Sequence, residues 1–149
     1  MQILVDADAC PVKEIIVRLA KRRGIPVTML IDTSHELRGG YGTIITVSKQ
    51  ADSVDYALMG LLQSGDIVVT QDFGLAAMAL GKGARVIHQN GLVYTNENID
   101  GLLMDRYIGQ KVRRGGGRAK GPAKRTKDDD ERFEAAFSDL LALAMGNIC

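Results

Sequence analysis

The fold is decided by the stretch Ile3–Ile31, which reads ILVDADACPVKEIIVRLAKRRGIPVTMLI. Both of its ends are short runs of consecutive apolar residues, which are typical of strands buried on both faces of a parallel sheet. Between these runs, Pro11 suits the first turn of a helix, and apolar residues recur at helical spacing until Gly24, a residue that favours a helix end. The stretch therefore predicts a strand–helix–strand unit with parallel strands.

The alternation continues along the chain. We predict strands at 3–5, 26–31, 43–47, 67–69 and 85–89, helices at 12–23, 52–64, 73–80 and 96–110, and a polar loop at 32–42. Asn90-Gly91 predicts a two-residue hairpin turn into a further strand at 92–95. We therefore expect α/β architecture: a single three-layer α/β/α domain with a mainly parallel sheet.

The composition is that of a globular protein. The 149 residues are 46% apolar and 25% charged, which excludes disorder for most of the chain. We expect no membrane helix, because no apolar run reaches the length that a bilayer requires, and the N-terminus lacks the features of a signal peptide. Cys10 and Cys149 do not make a disulfide framework. These features predict a cytoplasmic protein.

Charge divides the chain. Residues 1–110 carry 10 basic and 12 acidic residues, whereas residues 111–149 carry 9 basic and 6 acidic ones. We predict a core at 1–110, a basic Gly-rich loop at 111–127, and a C-terminal helix at 128–149 that packs on the core. Thr126 and Asp129 have the spacing of a capping box at the start of that helix.

Aspartates follow two of the predicted strands. Asp6 and Asp8 follow the first strand, Asp72 follows the fourth, and Asp52 and Asp55 open the helix after the third. Ligands of open α/β sheets bind at the carboxyl ends of strands, where the strand order reverses, and the first and fourth strands are often neighbours there. We therefore expect these carboxylates to converge, with Mg²⁺ or Mn²⁺ to offset their charge.

Several of these aspartates also have a structural interpretation, whereas Asp6, a charge at the end of an apolar strand, is harder to explain in that way. Asp72, Asp52 and Asp8 could cap the helices that follow them. Asp66 lies at the entry to a strand, the opposite end from the expected site, and is interpreted as a turn residue. The joint pattern is more specific than any one of its members.

The basic segment indicates a polyanionic partner, with RNA favoured over DNA. The candidate phosphate-binding residues are Lys13, Arg113, Arg114, Arg118, Lys120 and Lys124. The alternative interpretation of the basic segment is a solvated, disordered tether. With four Tyr, three Phe and no Trp, the composition argues against base stacking as the main mode of binding.

Four groups of residues form recognisable motifs: 6–13 (DADACPVK), 51–55 (ADSVD), 65–72 (GDIVVTQD) with 74–76 (GLA), and Gly121-Pro122 followed by Thr126, Asp129 and Phe133. Together they resemble the motifs of the YaiI/YqxD family of uncharacterised bacterial proteins. The resemblance covers nearly the whole chain. It implies no established activity.

Asp6 ends the first strand, Asp55 lies in the opening of a middle helix, and Thr70-Gln71-Asp72 follow the next strand. This pattern is similar, more distantly, to that of PIN-domain nucleases. The likeness implies a PIN-like core in which Asp6, Asp55 and Asp72 are metal ligands and Thr70 is the small hydroxyl residue two before the last of them. Asp8 and Asp52 are additional acids at the same place.

The leading hypothesis is a metal-dependent nuclease that hydrolyses RNA or DNA phosphodiester bonds. A metal held by Asp6 and Asp72 would present hydroxide for in-line attack, and a second metal or a basic side chain would offset charge on the leaving oxygen. Asp55, with Asp52 or Asp8, would complete the ligand set or orient the water. Thr70 and the basic residues would bind the substrate.

Two alternatives remain open. One is a phosphatase of the haloacid-dehalogenase type with Asp6 as nucleophile, although Cys10 and the position of Asp66 depart from that pattern. The other is a non-catalytic RNA-binding protein whose acids retain a structural ion.

Overall fold

The computed structural model describes residues 1–32, 40–50, 52–116 and 124–146. Its strands are β1 (Ile3–Asp6), β2 (Val27–Asp32), β3 (Thr43–Val47), β4 (Ile67–Val69), β5 (Arg85–Ile87) and β6 (Val93–Tyr94). Its helices are α1 (Lys13–Arg23), α2 (Ser53–Leu61), α3 (Phe73–Gly81), α4 (Asn96–Arg114) and α5 (Lys127–Ala144).

The strands of the described ranges form one mainly parallel sheet in the order β3-β2-β1-β4-β5-β6. β1 is at its centre, with Ile3 in register with Val27 of β2 on one side and with Ile67 of β4 on the other. β6 alone pairs antiparallel within these ranges, across the predicted hairpin turn. The strand order reverses between β1 and β4, so the switch point lies where the sequence predicts it.

Alternate residues of the central strands contribute to two cores, one on each face of the sheet. Ile3 and Val5 pack under α1 and α5, whereas Leu4 and Val68 pack under α2, α3 and α4. Side chains of successive strand residues point to opposite faces, so a continuous apolar run is needed to fill both cores. The three-layer α/β/α prediction is confirmed.

Helix α5 packs on the core beside α1. Phe133 and Phe137 are stacked with ring centroids 5.2 Å apart, and both side chains are fully buried. Gly91 in the hairpin has φ +96° and lies so close to α5 that a Cβ there would be 2.9 Å from the backbone oxygen of Arg132. Arg125 donates to the backbone oxygen of Gln89, at 2.9 Å, which ties the chain before α5 to the end of the sheet.

The predicted loop at 111–127 is wrong at its start, because α4 continues to Arg114. Lys111, Arg113 and Arg114 therefore lie in the last turn of a helix. Lys and Arg are good helix formers and their charges favour the C-terminal end of the helix dipole, so the helix ends only where the glycines begin, at Gly115. Residues 117–123 of the predicted Gly-rich loop, with Arg118 and Lys120, lie outside the described residues.

Other boundaries shift by a few residues. β2 extends to Asp32, and α2 ends at Leu61 rather than at 64. The cause of the second shift is Asp66, whose buried carboxylate accepts hydrogen bonds from the backbone N–H of Gln63 and from both the backbone and side-chain N–H groups of Gln2. Asp66 is therefore a structural residue at the amino end of β4.

No helix in the described ranges is long and apolar enough to span a membrane.

Candidate active site

An acidic crevice of about 410 Å³ opens at the carboxyl ends of the central strands. We use this name for the cavity whose lining, among the described residues, includes the aspartates Asp6, Asp8, Asp32, Asp52, Asp55 and Asp72. They come from the ends of β1 and β2, the start of α2 and the turn after β4. The topology thus brings together carboxylates that are up to 66 residues apart in the sequence.

Thr70 connects the ends of the two central strands. Its hydroxyl donates to Asp6 Oδ2 at 2.9 Å and accepts a hydrogen bond from the backbone N–H of Asp72 at 3.0 Å. Thr70 itself is buried. One hydroxyl group therefore fixes the carboxylate at the end of β1 relative to the chain after β4.

Asp72 caps helix α3, as its structural interpretation predicts. Its Oδ1 accepts from the backbone N–H groups of Gly74 at 2.8 Å and Leu75 at 3.2 Å. The guanidinium of Arg106 on α4 lies 3.7 Å from the same oxygen. Capping uses Oδ1, which leaves Oδ2 for a ligand in the crevice.

Asp52 and Asp55 stand at the start of α2. Asp52 occupies the N-cap position with φ 63°, and its side chain makes no capping hydrogen bond. Ala9, which also lines the crevice, has φ 54°. These are the two non-glycine residues of positive φ in the described chain, and both line the crevice. Left-handed backbone at a residue with a side chain is costly and concentrates at functional sites.

The crevice raises the pKa of two carboxyl groups. Burial raises the pKa of Asp6 above its ordinary value. The hydrogen bond from Thr70 opposes this shift, and the charges of Asp72 and Asp8 reinforce it. Burial and the charges of Asp72, Asp6 and Asp52 raise the pKa of Asp55 from 3.8 to about 6. The carboxylates of β1, α2 and the turn after β4 thus act on one another electrostatically.

Asp8 and Asp32 lie beside each other at the ends of β1 and β2. Asp8 accepts a hydrogen bond from the backbone N–H of Asp32, at 3.2 Å to Oδ2, and does not cap α1, whose N-cap is Val12. Asp32 is absent from the predicted site, because the sequence analysis treats it as the first residue of the polar loop at 32–42. The signal was present: like Asp6, Asp32 is an acid that directly follows an apolar strand.

The donor set suits a hard divalent cation, since carboxylate oxygens are the ligands that Mg²⁺ and Mn²⁺ prefer. As the side chains stand, no three His, Cys, Asp or Glu residues of the described ranges are grouped closely enough to hold one ion. The donor type therefore matches such an ion, and the element ends bring the donors to one crevice, but the described side chains do not form a ligand group of three.

The predicted phosphate-binding residues lie elsewhere. Lys13 lines a separate cavity between α1 and β3, together with Cys10, Arg18 and Tyr41. Arg113 and Arg114 are exposed in the last turn of α4, and Lys124 is exposed before α5. Basic side chains near the acidic crevice are instead Lys49, in its lining, and Arg106. Sequence analysis does not select Arg106, because no motif marks it.

Comparison with known proteins identifies the family. A model of the uncharacterised YaiI/YqxD family matches residues 4–143. A UPF0178 protein of Ruminiclostridium cellulolyticum is 64% identical over 92% of this chain and 90% of its own length. A UPF0178 protein of Clostridium acetobutylicum is 56% identical over 95% and 97%, and one of Bacillus cereus is 48% identical over 96% and 100%. No solved structure matches the chain. Matches that extend over almost the full domain place the chain in the YaiI/YqxD family, to which it belongs.

Proposed function

We propose that the protein is a divalent-metal-dependent nuclease that hydrolyses phosphodiester bonds, with RNA as the favoured substrate. The observation that carries the proposal is the acidic crevice at the switch point of the sheet. Its carboxylates come from separate elements, and burial together with the charges of neighbouring carboxylates raises the pKa of Asp6 and of Asp55. Such an arrangement costs free energy unless a cation offsets the charge, and perturbed carboxyl groups in a cleft mark a functional site.

Asp6, Asp55 and Asp72 are the proposed ligands of Mg²⁺ or Mn²⁺, with Asp52 and Asp8 beside them. When bound, the cation supplies positive charge that offsets the carboxylates and acidifies water in the crevice. Thr70 keeps Asp6 in place through its hydroxyl hydrogen bond. The resemblance of this set to that of PIN-domain nucleases supports the same assignment.

The protein's own bases and cations then have separate tasks. Asp55, at the start of α2, would complete the ligand set or orient the attacking water. Arg106 and Lys49 border the carboxylates and supply positive charge for a substrate phosphate. The basic last turn of α4 offers further phosphate contacts.

The test is cleavage of a labelled single-stranded RNA by purified protein in Mn²⁺. We expect Asp6→Asn to lower the rate by about 100-fold or more, or about 2.7 kcal/mol of transition-state stabilisation. Asp139→Asn is the matched control, because Asp139 is an exposed aspartate on α5 that does not line the crevice. Cleavage that survives Asp6→Asn unchanged refutes the assignment.

The same assay separates the alternatives. A covalent phosphate trapped on Asp6 during turnover of a phosphate monoester would assign a phosphatase instead. Tight, salt-dependent RNA binding without cleavage in any divalent ion would assign a non-catalytic RNA-binding protein.

A further inference from the structure

A second cavity of about 550 Å³ adjoins the acidic crevice. The two cavities share Asp52, Asp55 and Asp72 in their linings. The remaining wall of the second cavity is different in character, with an aromatic ring, two thioethers and a guanidinium. These groups belong to Tyr56, Met59, Met78 and Arg106.

Tyr56 is the most exposed large apolar residue of the described chain, at 86%. It lies one helical turn after Asp52 on α2, and its backbone N–H donates to the carbonyl oxygen of that residue at 2.9 Å. Tyr56 also lines a third cavity, of about 460 Å³, which contains Ser48 and Ser53. The tyrosine therefore stands between two open cavities beside the carboxylates.

Because the Tyr56 ring is exposed, packing in the core does not stabilise it. Phe73 and Tyr94, in contrast, pack against each other and against His88 on the adjoining face. A flat apolar ring open to solvent beside a reactive crevice is suited to stacking with a planar ligand group. Met78, which is 47% exposed, adds apolar surface to the same cavity.

Arg106 supplies a cation in that cavity. Its guanidinium is 3.7 Å from Asp72 Oδ1, an oxygen that already accepts two backbone hydrogen bonds from the start of α3. The side chain is half-exposed, and an ion pair of this length between exposed groups is weak. The guanidinium therefore has donors available for a phosphate, a group that arginine can bind in a bidentate manner.

We propose that this second cavity is a base-binding subsite for single-stranded RNA, in which one base stacks on Tyr56 and the neighbouring phosphate binds Arg106. This deepens the proposed function, on which it rests for the chemistry in the adjoining crevice. Bases in a duplex are stacked on one another, so an exposed ring of this kind selects single strands. A low count of aromatic residues does not oppose a single stacking contact when one ring lies at the site.

A thermodynamic cycle tests the stacking. The wild-type chain and the Tyr56→Ala variant are each titrated in Ca²⁺ with two oligomers of the same length. One is a short oligoadenylate and the other is an abasic ribose-phosphate oligomer. Both oligomers are checked to be intact after the titration. We expect Tyr56→Ala to weaken oligoadenylate binding about 5- to 150-fold and to leave binding of the abasic oligomer unchanged. Tyr107→Ala is the matched control, because Tyr107 is an exposed tyrosine on α4 that does not line the cavity.

A salt titration tests the phosphate contact. We expect Arg106→Gln to weaken the binding of both oligomers. It should also reduce the magnitude of the slope of log affinity against log salt concentration by about 0.7, the value for one phosphate on a single strand. Arg106→Lys should retain the slope and lose part of the affinity.

The outcomes distinguish this proposal from the nuclease proposal. If Tyr56→Ala lowers the affinity for both oligomers equally, or lowers neither, the base-binding subsite is overturned even if the protein cleaves RNA. The expected difference between the oligomers would sustain the subsite even if no cleavage is found in any metal. Failure of the wild-type chain to bind either oligomer would also overturn it.

Discussion

Asp55 provides the sharpest test of the crevice, because its electrostatic cost should be visible in the stability of the protein. The difference between the ordinary pKa of 3.8 and about 6 corresponds to about 3 kcal/mol. Asp55 is half-buried, so solvent screening reduces the expected contribution to about 1 kcal/mol. We expect Asp55→Asn to increase the free energy of unfolding by that amount at pH 8 in EDTA.

The sign of the pH dependence follows from linkage. A carboxyl group whose pKa is higher in the folded chain than in the unfolded chain contributes stability that is fully present below about pH 3.8 and is lost as the pH rises through about 6. The advantage of Asp55→Asn should therefore be absent near pH 3.8, grow between the two values and level off above them. Thermal melts should show a shift of about 2–4 °C at pH 8.

The control is Asp139→Asn, which replaces an exposed aspartate of α5 and should change the free energy of unfolding by less than about 0.5 kcal/mol. Saturating Mn²⁺ should reverse the order at pH 8, because ligand binding stabilises the folded state of the wild type more than that of the variant. A variant that is less stable than the wild type in EDTA at pH 8 would show that the carboxylates do not repel as described.

Three further substitutions have expected outcomes. Thr70→Val removes both hydrogen bonds of the hydroxyl, so it should destabilise the fold by about 2–4 kcal/mol in urea unfolding. It should also raise the pKa of Asp6 further in an NMR titration. Thr70→Ser should restore both the stability and the pKa. Asp66→Ala deletes a buried acceptor of three hydrogen bonds and should cost about 2–4 kcal/mol in the same assay, while calorimetric Mn²⁺ affinity stays unchanged. Gly91→Ala puts a Cβ against the backbone of Arg132 at positive φ and should lower stability by about 1–3 kcal/mol, with faster amide exchange in α5. A melting temperature within error of the wild type would contradict any of the three stability predictions.

The sequence predicts the parts of the site that depend on strand ends. Asp6 and Asp72 follow continuous apolar runs, and parallel strands of adjacent register bring such residues to one edge of the sheet. Asp52 and Asp55 follow from the same argument, because a helix after a parallel strand begins at that edge. The predicted neighbourhood of β1 and β4 is confirmed by the strand order.

Asp32 shows the limit of boundary prediction. An apolar run gives the existence of a strand, whereas its last residue depends on the partner strand, here β3, with which Asp32 is in register at Val47. The prediction places Asp32 in the polar loop, whereas Asp6, which also directly follows its predicted strand, is included in the site. The same limit applies to α4, where residues 111–114 continue the helix because their propensity outweighs the glycines that follow.

Tyr56 and Arg106 could not be found from the sequence, for a tertiary reason. Each lies on a helix whose pattern assigns it to the solvent-facing side. Whether a solvent-facing residue borders a cavity depends on how α2, α3 and α4 are rotated against one another. That rotation is set by the packing of Leu58, Leu75 and Ile99 in the shared core, which the pattern of one helix does not contain.

The positive φ angles at Ala9 and Asp52 have a consequence for engineering. Each costs about 1–2 kcal/mol relative to a right-handed conformation, and glycine would relieve that cost. A screen for thermostable variants would therefore tend to select glycine at these two positions, which line the crevice together with its aspartates. Under the proposed function, such variants should be the least suitable for detecting activity, because glycine gives more conformational freedom to the backbone that carries the carboxylates.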